Sequence, residues 1–215
     1  IVAVRTYGQS IVEEYAEYSA IPVVNALTNE EHPCQALADL VTLKEKWGEL
    51  KGRSIAFIGD GNNVAASLVV TAASLGMDVR MASPPRYRLP EPLISEASVR
   101  AHETGGALTL VTDPREAAEG VEALYTDVWT SMGQEREAER RRIDFAGYQL
   151  NRELVSLAQS GAFVMHDLPA HRGDEITDDV IESPQSIVFD QAENRTWAQA
   201  AVVAFLLGAA DNVEA

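Results

Sequence analysis

Short apolar runs rich in β-formers alternate with amphipathic segments of ten or more residues along most of this chain. No other feature limits its fold as strongly. "IVAVRT" reads as a strand, "QSIVEEYAEYS" as a helix and "IPVVNAL" as a second strand. "PCQALADLVTLKEKWG" carries Leu37, Leu40, Val41 and Trp47 at helical spacing, with Pro33 at its start and Gly48 closing it. "RSIAFIGD", "MDVRMAS", "ALTLVT", "VEALYTDVW", "AFVMHDL" and "SIVFD" read as further strands. Helices are expected through "VAASLVVTAASLG" and "LISEASVRAHETGG", after the Asp113–Pro114 cap, and from near "AENRTWAQ" onward. Such alternation calls for an α/β fold, a doubly wound parallel sheet with helices on both faces in the Rossmann-like manner.

Composition narrows the classes further. At 215 residues and 46% hydrophobic, the chain can bury a real core and does not read as disordered. No apolar run reaches the eighteen or so residues of a membrane span, and "AQAAVVAFLLGAA" is expected to be a buried helix. The single cysteine, Cys34, excludes an intrachain disulfide and argues against zinc. With no signal-peptide pattern, a cytoplasmic location is expected. Because "IVAVRT" starts as a strand already under way, an N-terminal part of the natural protein is expected to lie outside this chain. Acids outnumber bases 33 to 17, a formal net charge of −16, which repels nucleic acid and anionic lipid. Adaptation to high salt, where self-repulsion is screened, would produce the same bias. "EREAERRR" is expected to be a solvated loop or helix face.

In a parallel sheet of this kind, ligands bind beyond the carboxyl ends of the strands. Nearly every polar cluster falls there: Arg5-Thr6, Asp60 to Asn63, Asp127 to Gly133, His166 to Gly173 and Asp190 to Arg195. "FIGDGNNV" lacks the third glycine of a dinucleotide loop, Val64 standing in its place. Asn62 and Asn63 can offer donors to a carboxylate or phosphate, or can cap the helix that follows. His32 and Gln35 enter a helix where both can donate to a carbonyl-type ligand. Arg195 is expected at a helix start, where a cation opposes the dipole and calls for an anion, although Glu193 can supply one.

Taken in order, "RTYGQ", "HPCQALADL", "GDGNNV", "DVWTSMGQE", "LPAHRGDEIT" and "AENR" resemble the ornithine carbamoyltransferases of the aspartate/ornithine transcarbamylase family, across essentially the whole chain. The resemblance implies carbamoyl transfer from carbamoyl phosphate to the δ-amine of L-ornithine, with no metal and no organic cofactor. It implies that Arg5, His32, Gln35 and Arg195 contact carbamoyl phosphate, with His32 and Arg5 polarising the carbonyl. It assigns Asn63, Asp127, Ser131 and Met132 to the ornithine head group, Asp127 taking the α-ammonium. It also implies a homotrimer or an assembly of trimers.

The same resemblance suggests residues 1–33 as a remnant of the carbamoyl-phosphate domain and 34–50 as an interdomain helix. Residues 51–190 would form the ornithine-binding domain, and 191–215 a C-terminal helix returning to the first. The family's Ser-x-x-Thr-Arg phosphate loop is not found in these residues, so the chain by itself is expected to be inactive. A second departure is "HDLP" where the family reads His-Cys-Leu-Pro. The backbone carbonyl role of Leu168 survives that change. Asp167, in the cysteine's place, would hold the δ-ammonium and favour its charged form. It would also repel carbamoyl phosphate by about 4 kcal/mol at 4 Å and an effective dielectric of about 20, or act as the base that takes the amine's proton. His166, His171 and Arg172 are expected only to support their neighbours.

Overall fold

In the computed structural model, which describes residues 1–131 and 133–208, the alternation resolves into two parallel sheets. The smaller pairs β1 (Val2–Arg5) with β2 (Val23–Leu27) across helix α1 (Gln9–Tyr18). Helix α2 (Pro33–Trp47) then leads to a five-stranded sheet. Pro33 occupies its first turn, where a missing N–H costs nothing, and Gly48 ends it at φ 78°.

The larger sheet contains β3 (Ser54–Ile58), β4 (Asp78–Ala82), β5 (Ala107–Val111), β6 (Ala123–Thr126) and β7 (Phe163–His166), in the order β5-β4-β3-β6-β7. Its strands are parallel throughout. Between them run α3 (Asn63–Ser74), α4 (Glu91–Thr104), α5 (Pro114–Ala118), α6 (Ala138–Asp144) and α7 (Arg152–Val155). Helices α8 (Asp178–Ile181) and α9 (Val188–Leu206) follow β7.

Both faces of this sheet are covered, which is why β3 reads as an unbroken apolar run. Ile55 and Phe57 pack with Leu43 of α2, Leu68 of α3 and Ala97 of α4. The alternate residues, Ala56 and Ile58, pack on the other side with Ala117, Leu154 and Val180 from α5, α7 and α8. The small side chains Ala65, Ala72 and Ala73 let α3 lie close to the strands. Helix α9 returns across α2, fastened by Asn194 Nδ2 donating to Thr42 Oγ1 (3.0 Å) and to Glu45 Oε2 (2.7 Å).

Several local expectations are corrected. "SIVFD" is not a strand: only Ser186 bridges to Val164, and α9 has begun by Val188. Arg195 therefore lies two turns inside α9, away from its dipole end. Nor is the end of α9 wholly buried, since Phe205 is 70% exposed. Within "EREAERRR", Arg141 is buried: its Nη1 donates to Asp60 Oδ2 at 2.6 Å and its guanidinium covers the Tyr87 ring. Among the described residues, no helix is long and apolar enough to cross a membrane.

Candidate active site

The strand order reverses direction between β3 and β6, and the loops after these two strands form one wall of a cleft of ≈ 400 Å³. Asn62 ties the loops together. Its Oδ1 caps α3 by accepting from Val64 N and Ala65 N (3.1 Å each), while its Nδ2 donates to Asp127 Oδ2 at 2.6 Å. The capping role foreseen for an asparagine here is thus filled by Asn62, which also orients the Asp127 carboxyl. Gly61 serves the loop's packing, because a Cβ there would sit 2.6 Å from both Leu89 N and Tyr87 O.

The cleft gathers every described residue of the expected site. Arg5 at the end of β1, His32 and Gln35 at the start of α2, and Arg195 on α9 form one side. Asn63, Asp127 and Ser131 form the other, with Asp167 and Leu168 between them. Met132 lies outside the described residues. Asn63 is already engaged, its Nδ2 donating to Thr28 O at 2.6 Å and its Oδ1 accepting from Val64 N at 3.0 Å. Arg195 Nη1 donates to Gln35 Oε1, and Gln35 Nε2 donates to Asp39 Oδ1 at 2.8 Å.

The two sides differ in electrostatics. Burial, reinforced by Arg195 and Arg5 against the pull of Asp167, drives the His32 pKa down to about 4. His32 is therefore a neutral imidazole at neutral pH, and its buried Nδ1 has no partner among the described residues. Opposite it, burial and then the adjacent Asp167 hold Asp127 well above the usual carboxylate range.

Just outside the cleft, His166 is fully buried. Burial alone would lower its pKa, but bonds to Asp167 and Glu175 outweigh it and raise the value to about 9. That charged form conflicts with the Leu168 N–H, which donates to His166 Nδ1 at 2.9 Å and needs a lone pair there. The hydrogen-bond geometry decides for the neutral ring, its proton on Nε2 facing Glu175 Oε1 at 3.1 Å. Leu168 is thereby held at φ 58°.

Asp127, His166 and Asp167 each present a ligand atom within 4.8 Å of the others. Both His166 nitrogens are already used, however, and Asp127 also accepts from Val128 N at 2.6 Å. The trio is better described as two neighbouring carboxyl groups backed by a histidine than as a metal centre.

Thr130, within the foreseen cluster Asp127 to Gly133, also lines the cleft, as do Tyr7 and Asn29, which were not foreseen. Tyr7 follows β1 and Asn29 follows β2 by two residues each, so the strand-end rule stopped just short of them. His171 reaches the cleft and its N–H donates to Glu175 Oε1 at 2.5 Å, whereas Arg172 turns away to pair with Asp178 and Glu182.

The sequence matches the Aspartate/ornithine carbamoyltransferase family in two parts, the Asp/Orn binding domain over residues 51–206 and the carbamoyl-P binding domain over residues 1–45. The chain belongs to the aspartate/ornithine carbamoyltransferase family. It is 51% identical over 208 residues to an ornithine carbamoyltransferase of Gloeobacter violaceus, covering 96% of this chain and 66% of that protein. An ornithine carbamoyltransferase of Acidothermus cellulolyticus is 50% identical over 209 residues, covering 97% and 67%. The solved structure of the Pyrococcus furiosus ornithine carbamoyltransferase superimposes with a TM-score of 0.93 at 50% identity, covering 96% of this chain and 66% of that one. The chain thus spans about two thirds of the length of these carbamoyltransferases.

Proposed function

We propose that the cleft serves carbamoyl transfer from carbamoyl phosphate to the δ-amine of L-ornithine, giving citrulline and phosphate. The supporting observation is its polarity: a buried neutral imidazole with Arg5 and Arg195 on one side, a carboxyl pair on the other. In the reaction the new bond joins the δ-nitrogen to the carbamoyl carbon, and the C–O bond to phosphate breaks. Negative charge grows on the carbonyl oxygen and the leaving phosphate. The His32 N–H and the Arg5 and Arg195 guanidinium groups are the donors suited to both. Leu168 O would accept from the carbamoyl amide, and Gln35 Oε1 has a second lone pair for the same group.

Ser131, Met132, Asn63 and Asp127 would hold the amino-acid head. Arrival of the α-ammonium would displace the proton that Asp127 keeps while it faces Asp167. Asp167 would then take the proton that the δ-ammonium must lose before attack. A second reading, a carbamoyltransferase with another amine acceptor, is favoured by one specific feature, the carboxylate at Asp167. The chain alone would bind ornithine without turnover, and the working assembly would be a cytoplasmic homotrimer or a group of trimers.

Isothermal titration of this chain with L-ornithine, putrescine and L-norvaline tests the amine site. Ornithine is expected to bind at least tenfold more tightly than either analogue, each of which lacks one end of it. Preference for putrescine would move the assignment to the second reading, and no binding of any would reject both.

A further inference from the structure

Asp39 is a buried group near the cleft that the chemistry above leaves unexplained. It lies on α2 one turn beyond Gln35, is 0% exposed, and forms no ion pair among the described residues. One oxygen collects two amides: Oδ1 accepts from Gln35 Nε2 at 2.8 Å and from Gln191 Nε2 at 2.7 Å, while Oδ2 has no partner among the described residues. Each amide passes the connection onward. Gln35 Oε1 accepts from Arg195, on the side suited to phosphate. Gln191 Oε1 accepts from His166 N at 3.1 Å, at the end of β7 immediately before Asp167 and Leu168. A continuous run of hydrogen bonds, buried except for the part-buried Arg195–Gln35 link, thus joins Arg195 to His166 just before the Asp167–Leu168 segment, and Asp39 is its midpoint.

A merely structural account makes Asp39 a polar contact between α2 and α9. That seam already has Asn194 bonded to Thr42 and Glu45. A buried carboxylate without a cation is also a poor way to join two helices, since an apolar pair of similar volume would serve at lower desolvation cost. Burial pushes the Asp39 carboxyl up to about 7, against the bonds from Gln35 and Gln191; Asp167 and Tyr125 are the other ionisable groups facing it. We propose that Asp39 is a positioning residue that sets Arg195 and the Asp167–Leu168 segment in register, so that the phosphate-side and amine-side groups of the cleft are placed as one unit. Its kinetic consequence rests on the carbamoyl-transfer reading; its structural consequence does not.

The test uses ¹⁵N NMR of this chain, reading the Arg195 guanidinium and the His166 backbone amide in wild type, Asp39→Leu and Asp39→Asn. Asp39→Leu is expected to shift both signals together. Asp39→Asn keeps a carbonyl oxygen for both amides and is expected to restore them. Gln191→Met, which cuts only the β7 arm, is expected to shift the Arg195 signals as well and remains informative should Asp39→Leu not fold. Arg195 signals unmoved in folded Asp39→Leu or in Gln191→Met would overturn the proposal.

In a citrulline assay of this chain completed by the N-terminal segment of the Gloeobacter violaceus relative, Asp39→Leu is expected to raise KM for carbamoyl phosphate about tenfold, the worth of one charge-assisted hydrogen bond. Asp39→Asn should recover most of that loss. Correct NMR behaviour with no citrulline from any form would count against the reaction and leave the positioning role standing.

Discussion

Replacing Asp167 by asparagine removes one of two carboxyl groups packed at the ends of β6 and β7. Their ligand oxygens lie within 4.8 Å, where two unit charges repel by about 3.5 kcal/mol at an effective dielectric of about 20. Burial and this neighbour together raise the Asp127 pKa. A carboxyl raised in the folded state contributes stability below its unfolded pKa of about 4, and that contribution is lost as pH climbs through the folded value. The wild-type chain is therefore increasingly penalised as pH rises above about 4. Asp167→Asn removes the Coulombic part of the penalty and leaves the part due to burial. The full repulsion between two unit charges is a ceiling, and a gain of about 1–3 kcal/mol is expected at pH 8. The gain should shrink toward zero near pH 4. Urea unfolding followed by circular dichroism at several pH values measures it. A variant no more stable than wild type at pH 8, or a gain that does not change with pH, would refute the reasoning.

Arg141→Ala leaves Asp60 buried without its cation, so the folded state should lose about 3–5 kcal/mol by urea denaturation, with Asp60→Asn partly relieving the double variant. Gly61→Ala drives a methyl into the backbone of residues 87–89 and should lower Tm by several degrees, whereas alanine at the open position Gly133 should act only through its φ of 87°. In an active assembly, His32→Ala should cut kcat about 100-fold or more while leaving L-ornithine affinity within a few-fold, as checked by citrulline formation and titration. With a net charge of −16, Tm should rise from low to molar potassium chloride, and a flat or falling melt would end the high-salt reading.

Much of the architecture could be read from the residues because β3, β6 and β7 carry both the apolar run of a twice-covered strand and a polar cluster at the end of it. "SIVFD" misled because Ile187, Val188 and Phe189 are good β-formers, yet Val188 sits in the core and the chain turns into α9 after a single bridge to β7. The run "EREAERRR" could not disclose which arginine is buried, since Asp60 lies 81 residues away from Arg141. Asp39 looked like an ordinary helix residue for the same reason. Its significance comes from Gln191, 152 residues later, and only the return of α9 across α2 brings the two together. Short-range pattern located the cleft, and long-range packing decided which side chains hold it in shape.

The most direct test of carbamoyl transfer is citrulline formation by a chimera in which the Gloeobacter violaceus relative supplies the segment N-terminal to this chain, assayed beside its Asp167→Cys variant. Citrulline that depends on both carbamoyl phosphate and L-ornithine is the expected result. A folded, ornithine-binding chimera that makes none in either form would contradict the account.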